Sequence, residues 1–241
     1  QLRLLTTGRE LLRLQQPTAP SSASLVMANP NYDRLGAKHT QSARPDAVTT
    51  VAQQRSAELG SNQWKPLPAS EREGQKVAKL LGTRLISGSS ATTAALQSQR
   101  GPRLLHVATH GFFVADLVTK PTDPTRAIQE GSPLLNSLRQ EDPQLRSGLV
   151  LAGANEPDLD PKDDGYLTAA EAVNLNLRGT ELVVLSACST GQGDVRTGEG
   201  VYGLQRSLTV AGARSTLLSL WKVDDGATAE FMERYYQRLK S

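Results

Sequence analysis

Short apolar segments alternate with amphipathic helical patterns along this 241-residue chain. RLLHVA (103–108) and ELVVLSA (181–187) have the apolar character of buried strands, and helical spacing of apolar residues follows at 199–213 and 224–240. Parallel strands need crossover connections, usually helices, and they are apolar throughout because helices cover both faces of their sheet. The alternation therefore predicts an α/β fold with a mainly parallel sheet covered on both faces.

Other parts of the chain continue the pattern. LVMANP (25–30) and RLISG (84–88) are predicted as short strands, and ATTAALQSQ (91–99) as a short helix. STLLSLW (215–221) predicts one more strand between the two C-terminal helices. These segments add strands and covering helices to the same sheet.

A further helix is predicted within residues 68–83. Ser70 followed by Glu73 has the spacing of a capping box, and Gly82 is a typical helix stop. The predicted apolar faces are Val77, Leu80 and Leu81 in this helix, Val201, Leu204 and Leu208 in the next long helix, and Ala227, Phe231, Tyr235 and Leu239 in the last.

The alternation is interrupted at residues 114–165. This stretch is polar and contains prolines, and insertions of such length inside a compact domain are usually functional or mobile. We expect residues 1–241 to form one domain with this insertion. Because the sequence opens on Gln1 rather than methionine, we also expect it to be a fragment of a longer chain.

Composition excludes several classes of protein. The longest apolar runs fall far below the ~20 residues of a membrane span, so no membrane partner is expected. Residues 1–120 carry 15 Lys/Arg against 7 Asp/Glu, but these cations are scattered and no aromatic-rich strand accompanies them, so no nucleic acid partner is expected either. A single cysteine forms no internal disulfide, which favours a reducing compartment such as the cytoplasm.

Two polar residues follow the central apolar runs at matching offsets. If the strands end at Ala108 and Ser186, then His110 and Cys188 each lie two residues past a strand end, where parallel sheets bind ligands. Neighbouring strands are ~4.8 Å apart, so adjacent placement brings imidazole and sulfur within reach. A thiol beside an imidazole makes a nucleophile with a general acid/base. The backbone amides of Gly111 and Cys188 are the candidate oxyanion donors.

Each residue also has a purely structural interpretation. A lone cysteine is usually a buried apolar side chain, and a histidine at a strand end usually a satisfied polar one. The matched offsets favour the catalytic pair. His106 and His110 lie ~13 Å apart along a strand and cannot share a metal, so His106 is expected in the core and no metal or organic cofactor is predicted.

GEGVYG (198–203) fits a dinucleotide fingerprint formally. It begins about a dozen residues after the preceding strand, and Glu199 repels a pyrophosphate, so a nucleotide-binding function is the weaker alternative. Asp194 follows the cysteine and is a candidate contact for a basic P1 side chain. Further acidic residues precede the cysteine's strand: Glu156, Asp158, Asp160, Asp163 and Asp164.

The segments LLHVATHGFF and LRGTELVVLSACSTGQGDVRTGEGVYGLQRSLTVAGARSTLLSLWKVDD closely resemble the CHAT domain, a caspase-like cysteine peptidase domain associated with tetratricopeptide repeats. The resemblance implies a caspase-like three-layer sandwich and a cysteine endopeptidase acting on proteins or peptides. His110 and Cys188 match the family's catalytic dyad, and Gly111 matches its glycine after the histidine. A repeat region or a regulatory protein is the implied partner. The rival interpretation is a catalytically silent, partner-binding module.

Overall fold

The computed structural model describes residues 18–33, 63–113, 144, 147–156, 163–189, 199–218 and 225–240. Within these ranges the chain forms seven strands and five helices. The strands are β1 (Leu25–Pro30), β2 (Leu85–Gly88), β3 (Leu104–Phe113), β4 (Ser147–Val150), β5 (Tyr166–Thr168), β6 (Leu182–Ser189) and β7 (Thr216–Leu218). The helices are α1 (Pro68–Leu81), α2 (Thr93–Gln97), α3 (Ala169–Ala172), α4 (Glu199–Ala211) and α5 (Asp225–Lys240).

All seven of these strands join one sheet. Five are parallel, in the spatial order β2-β1-β3-β6-β7. β4 pairs antiparallel with the last residues of β3, and β5 pairs antiparallel with β4. The predicted mainly parallel sheet is confirmed, and β4 lies within the 114–165 stretch that interrupts the alternation.

Helices cover both faces of the sheet. On one face, α1 and α5 pack on alternate strand residues such as Leu104 and Val184. On the other face, α2, α3 and α4 pack on the intervening residues, such as Leu105 and Leu185. Because strand residues alternate between faces, one apolar run supplies both cores. The result is the three-layer sandwich of a caspase-like fold.

The start of α1 differs from the prediction. Pro68 occupies the first helical turn and no side chain caps the helix; Ser70 instead donates its hydroxyl to the Leu67 carbonyl at 2.8 Å. The predicted capping box is therefore wrong, and Glu73 is only 1% exposed. Gly82 does end the helix, with a left-handed φ of 63° that glycine adopts readily.

The predicted apolar face of α5 is only partly confirmed, since Tyr235 packs partly buried against the core while other predicted residues do not. Phe231 and Leu239 are 55% and 49% exposed, whereas Met232 and Tyr236 are buried against the sheet. Residues spaced strictly by four drift around a helix of 3.6 residues per turn, so such a row does not follow one face. Burying Met232 and the ring of Tyr236 fixes the rotation of this helix.

β3 and β6 continue beyond their predicted ends. The predicted ends at Ala108 and Ser186 are wrong, since the strands run to Phe113 and Ser189. β4 pairs with the last three residues of β3 and extends its ladder. Pairing with β4, which is distant in the sequence, therefore keeps the polar residues after Ala108 within strand β3.

Gly148 in β4 is expected to tolerate no side chain. A Cβ there would lie 2.2 Å from the Leu167 carbonyl oxygen and 2.7 Å from the Phe112 ring. We expect Gly148→Ala to lower the free energy of unfolding by about 3 kcal/mol, measured by urea denaturation. The control is Gly203→Ala in α4, whose added Cβ meets nothing closer than 3.6 Å and should stabilise the helix by about 0.5–1 kcal/mol. Equal stability of wild type and Gly148→Ala would contradict the close packing.

Candidate active site

The pairing of β3 with β6 places His110 and Cys188 opposite each other. The parallel register runs from Leu104↔Leu182 to Gly111↔Ser189 and includes His110↔Cys188. Paired positions on strands ~4.8 Å apart lie on the same face of the sheet. Cys188 is described here by its backbone, because its side chain lies outside the described part. Two positions 78 residues apart in sequence thus become neighbours.

The imidazole of His110 is held on several sides. Its Nε2–H donates to the Lys65 carbonyl oxygen at 2.8 Å. The rings of Tyr32 and Trp64 lie 5.2 Å from it, centroid to centroid, at tilts of 41° and 40°. A carbonyl only accepts, so this contact fixes the proton on Nε2 and makes Nδ1 the basic nitrogen of the neutral ring. The side chain is 5% exposed.

The segment that carries Trp64 and Lys65 is anchored from the turn after β4. Asn155 accepts from the Trp64 amide at 2.8 Å and donates to the Trp64 carbonyl at 3.0 Å. The Trp64 indole donates to the Tyr166 hydroxyl at 3.0 Å. Burial raises the pKa of Tyr166, so this phenol stays protonated and donates in turn to Ala154. These contacts fix the position of the carbonyl that orients His110.

Tyr32, Trp64 and Lys65 were not predicted from the sequence. They lie in or beside a polar stretch, residues 31–66, without strand or helix periodicity. One signal was available: Trp64 is one of only two tryptophans, and a tryptophan in a polar stretch commonly marks a buried anchor. Lys65 acts through its backbone, which carries no sequence signal.

Gly111 lies inside β3 and pairs with Ser189 on one side and Leu149 on the other. It is therefore a ladder residue rather than the first loop residue after the strand. Its position directly follows His110, next to the paired Cys188. The structure thus groups three predicted site positions, Gly111, His110 and Cys188, at one end of two central strands.

Three of the acidic candidates lie within the described residues. Asp163 accepts from the Ala94 amide at the start of α2, and Asp164 accepts from the Tyr166 amide, so each supports local backbone structure. Glu156 is partly exposed at the turn that follows β4. The remaining candidates lie outside the described residues: Asp158, Asp160 and Asp194.

His106, four residues before His110 in β3, is fully buried as predicted. Its Nε2 lies 3.0 Å from Oε1 of Glu73 in α1, at ion-pair distance but without hydrogen-bond alignment. Its Nδ1 lies 3.1 Å from the hydroxyl of Tyr236 in α5. Oε2 of Glu73 accepts from the Ser186 hydroxyl at 3.1 Å. A polar network of Glu73, His106, Tyr236 and the half-buried Ser186 therefore connects α1, α5, β3 and β6, with Glu73 contacting both His106 and Ser186.

Burial, and then the nearby Tyr235 and Glu73, raise the pKa of Tyr236 above its usual 10.0. The unfolded phenol loses its proton near pH 10, whereas the folded one keeps it, so folding stability should be level below about pH 10 and fall above it. This residue alone should remove about 1.4 kcal/mol at pH 11. Urea unfolding of Tyr236→Phe should show a smaller loss between pH 9 and 11 than wild type. Parallel losses in both proteins would contradict the assignment.

The sequence matches the profile of the CHAT domain over residues 1–241. The chain belongs to the CHAT domain family. This agrees with the caspase-like sandwich and with the motifs that carry His110 and Cys188. Within the described ranges, no helix of this CHAT domain combines the length and apolar character needed to cross a membrane.

The CHAT domain is similar to tetratricopeptide repeat protein 28 of two mammals. It is 30% identical to the Homo sapiens protein over 246 residues, covering 98% of this chain and 9% of that protein. It is 32% identical to the Mus musculus protein over 184 residues, covering 73% of this chain and 7% of that protein. The chain thus spans less than a tenth of the length of these relatives.

Proposed function

We propose that this CHAT domain is a cysteine endopeptidase in which Cys188 is the nucleophile and His110 the general acid/base. The observation that carries the proposal is the register His110↔Cys188 between two adjacent parallel strands. A thiol paired with an imidazole is sufficient for acyl transfer, because a thiol needs less activation than a hydroxyl. The orienting Lys65 carbonyl supplies the third member of the arrangement.

The reaction follows from the His110 tautomer. Nδ1 takes the thiol proton, the sulfur forms a bond to the scissile carbonyl carbon, and the imidazolium protonates the amine as the C–N bond breaks. Water then attacks the thioester carbon and gives a proton to Nδ1, the C–S bond breaks, and Nδ1 returns the proton to the sulfur as the acid product leaves. Both nitrogens of the imidazolium carry protons, and the Lys65 carbonyl still accepts from Nε2–H.

The imidazolium that forms during the reaction carries its charge in a largely buried site, so it needs polar groups around it. The Lys65 carbonyl accepts from its Nε2–H, and the rings of Tyr32 and Trp64 lie beside it with centroids 5.2 Å from the imidazole centroid. The backbone amides of Gly111 and Cys188 are the proposed donors to the oxyanion that forms on the substrate. No cofactor is needed for this chemistry.

We propose that Asp194 contacts an arginine or lysine at P1. Its acidic side chain follows the nucleophile by six positions in the sequence. Asp194→Ala should lower kcat/KM for a P1-arginine peptide by about tenfold or more and leave a matched neutral peptide unchanged. If Asp194→Ala prefers P1 arginine as strongly as wild type does, this assignment is wrong.

The endopeptidase proposal is tested by digesting a peptide library with wild type and Cys188→Ala and identifying the products by mass spectrometry. We expect new cleavage products with wild type alone. Because Cys188 is the only cysteine, a peptidyl chloromethyl ketone should label the protein once. Absence of both cleavage and labelling across varied P1 groups would favour a silent, partner-binding module.

The setting of the domain is also a proposal. The similar mammalian proteins are named for tetratricopeptide repeats, so we propose that a neighbouring repeat region or a separate regulatory protein controls access to the site. The single cysteine fits a reducing compartment, and we propose a cytoplasmic location. Labelling of Cys188 should therefore be measured with and without such a partner.

A further inference from the structure

The polar network of Glu73, His106, Ser186 and Tyr236 lies directly behind the site along the same two strands. Ser186 precedes Cys188 by two residues in β6, and it pairs with Ala108, two residues before His110 in β3. Strand residues two apart lie on the same face. The Ser186 hydroxyl donates to Glu73 at 3.1 Å, so α1 holds β6 one pleat before the nucleophile.

Stability alone does not account for this network. Glu73 is 1% exposed and His106 fully buried, and burying a carboxylate beside an imidazole removes both from water. Apolar side chains of similar volume usually make such a site at least as stable. The polar groups instead form geometrically specific contacts, and each contact fixes the position of the next side chain across elements that are distant in sequence.

We infer that Glu73 and Ser186 are positioning residues for Cys188, an inference that rests on the proposed endopeptidase function. Glu73 binds Ser186 through one carboxylate oxygen and faces His106 through the other. One carboxylate of α1 therefore aligns the strand of the nucleophile with the strand of the general acid/base. A displacement of about 1 Å at a reacting atom costs about a hundredfold in rate, so a small loosening of β6 is measurable.

Ser186→Ala is the first test. We expect kcat to fall about tenfold with KM within about twofold, because the change moves the nucleophile rather than the substrate. The rate of iodoacetamide alkylation reports Cys188 alone, since the chain has no other cysteine. The midpoint of its pH profile should move by about one unit toward the ~8.5 of a free thiol.

Two further variants separate positioning from general damage. Ser186→Thr keeps the hydroxyl and should restore kcat to within about threefold of wild type. Glu73→Leu keeps most of the side-chain volume but offers the Ser186 hydroxyl no acceptor, so it should lower kcat. Adding Ser186→Ala to it should have little further effect, because the two residues act through one contact. The control is Ser207→Ala, which removes a buried hydroxyl bonded to the Gly203 carbonyl within α4 and should leave both readouts unchanged.

The outcomes distinguish the two proposals. A wild-type thiol that titrates like a free cysteine and cleaves no peptide overturns the endopeptidase function, and the positioning role with it. If the wild-type thiol is perturbed and active but Ser186→Ala or Glu73→Leu matches wild type in kcat and alkylation profile, the positioning role alone is overturned. Fully additive losses in the double variant would also overturn it.

Discussion

Cys188→Ala is expected to abolish peptide hydrolysis, and His110→Ala is expected to lower kcat/KM by about a thousandfold. In the proposed mechanism, the first variant removes the atom that forms the acyl bond, and the second removes the group that carries the proton in both half-reactions. Steady-state cleavage of a peptide taken from the library digest measures both. Circular dichroism should show the wild-type fold, because neither variant adds bulk.

His39→Ala is the matched control for this experiment, since the mechanism gives that histidine no role. It should retain wild-type kcat/KM. If His110→Ala keeps more than about a tenth of wild-type activity, the general acid/base assignment is wrong. If Cys188→Ala keeps activity, hydrolysis comes from another site or from a contaminating enzyme.

Glu73→Ala is expected to lower the free energy of unfolding by about 3–5 kcal/mol. It leaves the His106 imidazole and the Ser186 hydroxyl without their buried partner and also opens a cavity. Urea denaturation followed by tryptophan fluorescence measures the loss. Such a change is a large fraction of the stability of an ordinary domain.

An apolar replacement provides the matched control for Glu73→Ala. The double variant Glu73→Leu/His106→Leu removes both side chains of the pair and should recover most of the lost stability, because no buried imidazole remains without its carboxylate partner. Recovery in the double variant with a loss in the single one supports a paired carboxylate and imidazole. A loss below about 1 kcal/mol in Glu73→Ala would mean that this pair is not desolvated.

The sequence was sufficient to predict the parallel strands of the sheet, whereas β4 and β5 were not predicted as strands. Continuous apolar runs flanked by helices specify parallel strands, since no other arrangement covers both faces of each run. The equal offsets of His110 and Cys188 from these runs predicted that the two positions meet. That prediction depended only on the register between β3 and β6, so the wrong strand ends did not affect it.

Other features depend on contacts that no local pattern contains. β4 lengthens β3 from a distant part of the chain, and packing on the sheet decides which face of α5 is buried. Glu73 satisfied a local capping pattern, while its position four residues before Val77 placed it on the apolar face of α1. The second signal decided the outcome, because tertiary packing outweighs a single cap.

β3 is paired along both of its edges. β6 follows it from Leu104 to Gly111, while β1 and β4 pair with its other edge before and after His110. Amide protons in such a strand exchange with solvent only when the whole domain opens, so they should be among the slowest in the molecule. Thermal fluctuations of the native state therefore leave the histidine's backbone in place. A partner that regulated the proposed activity would therefore have to act on the chain around β3.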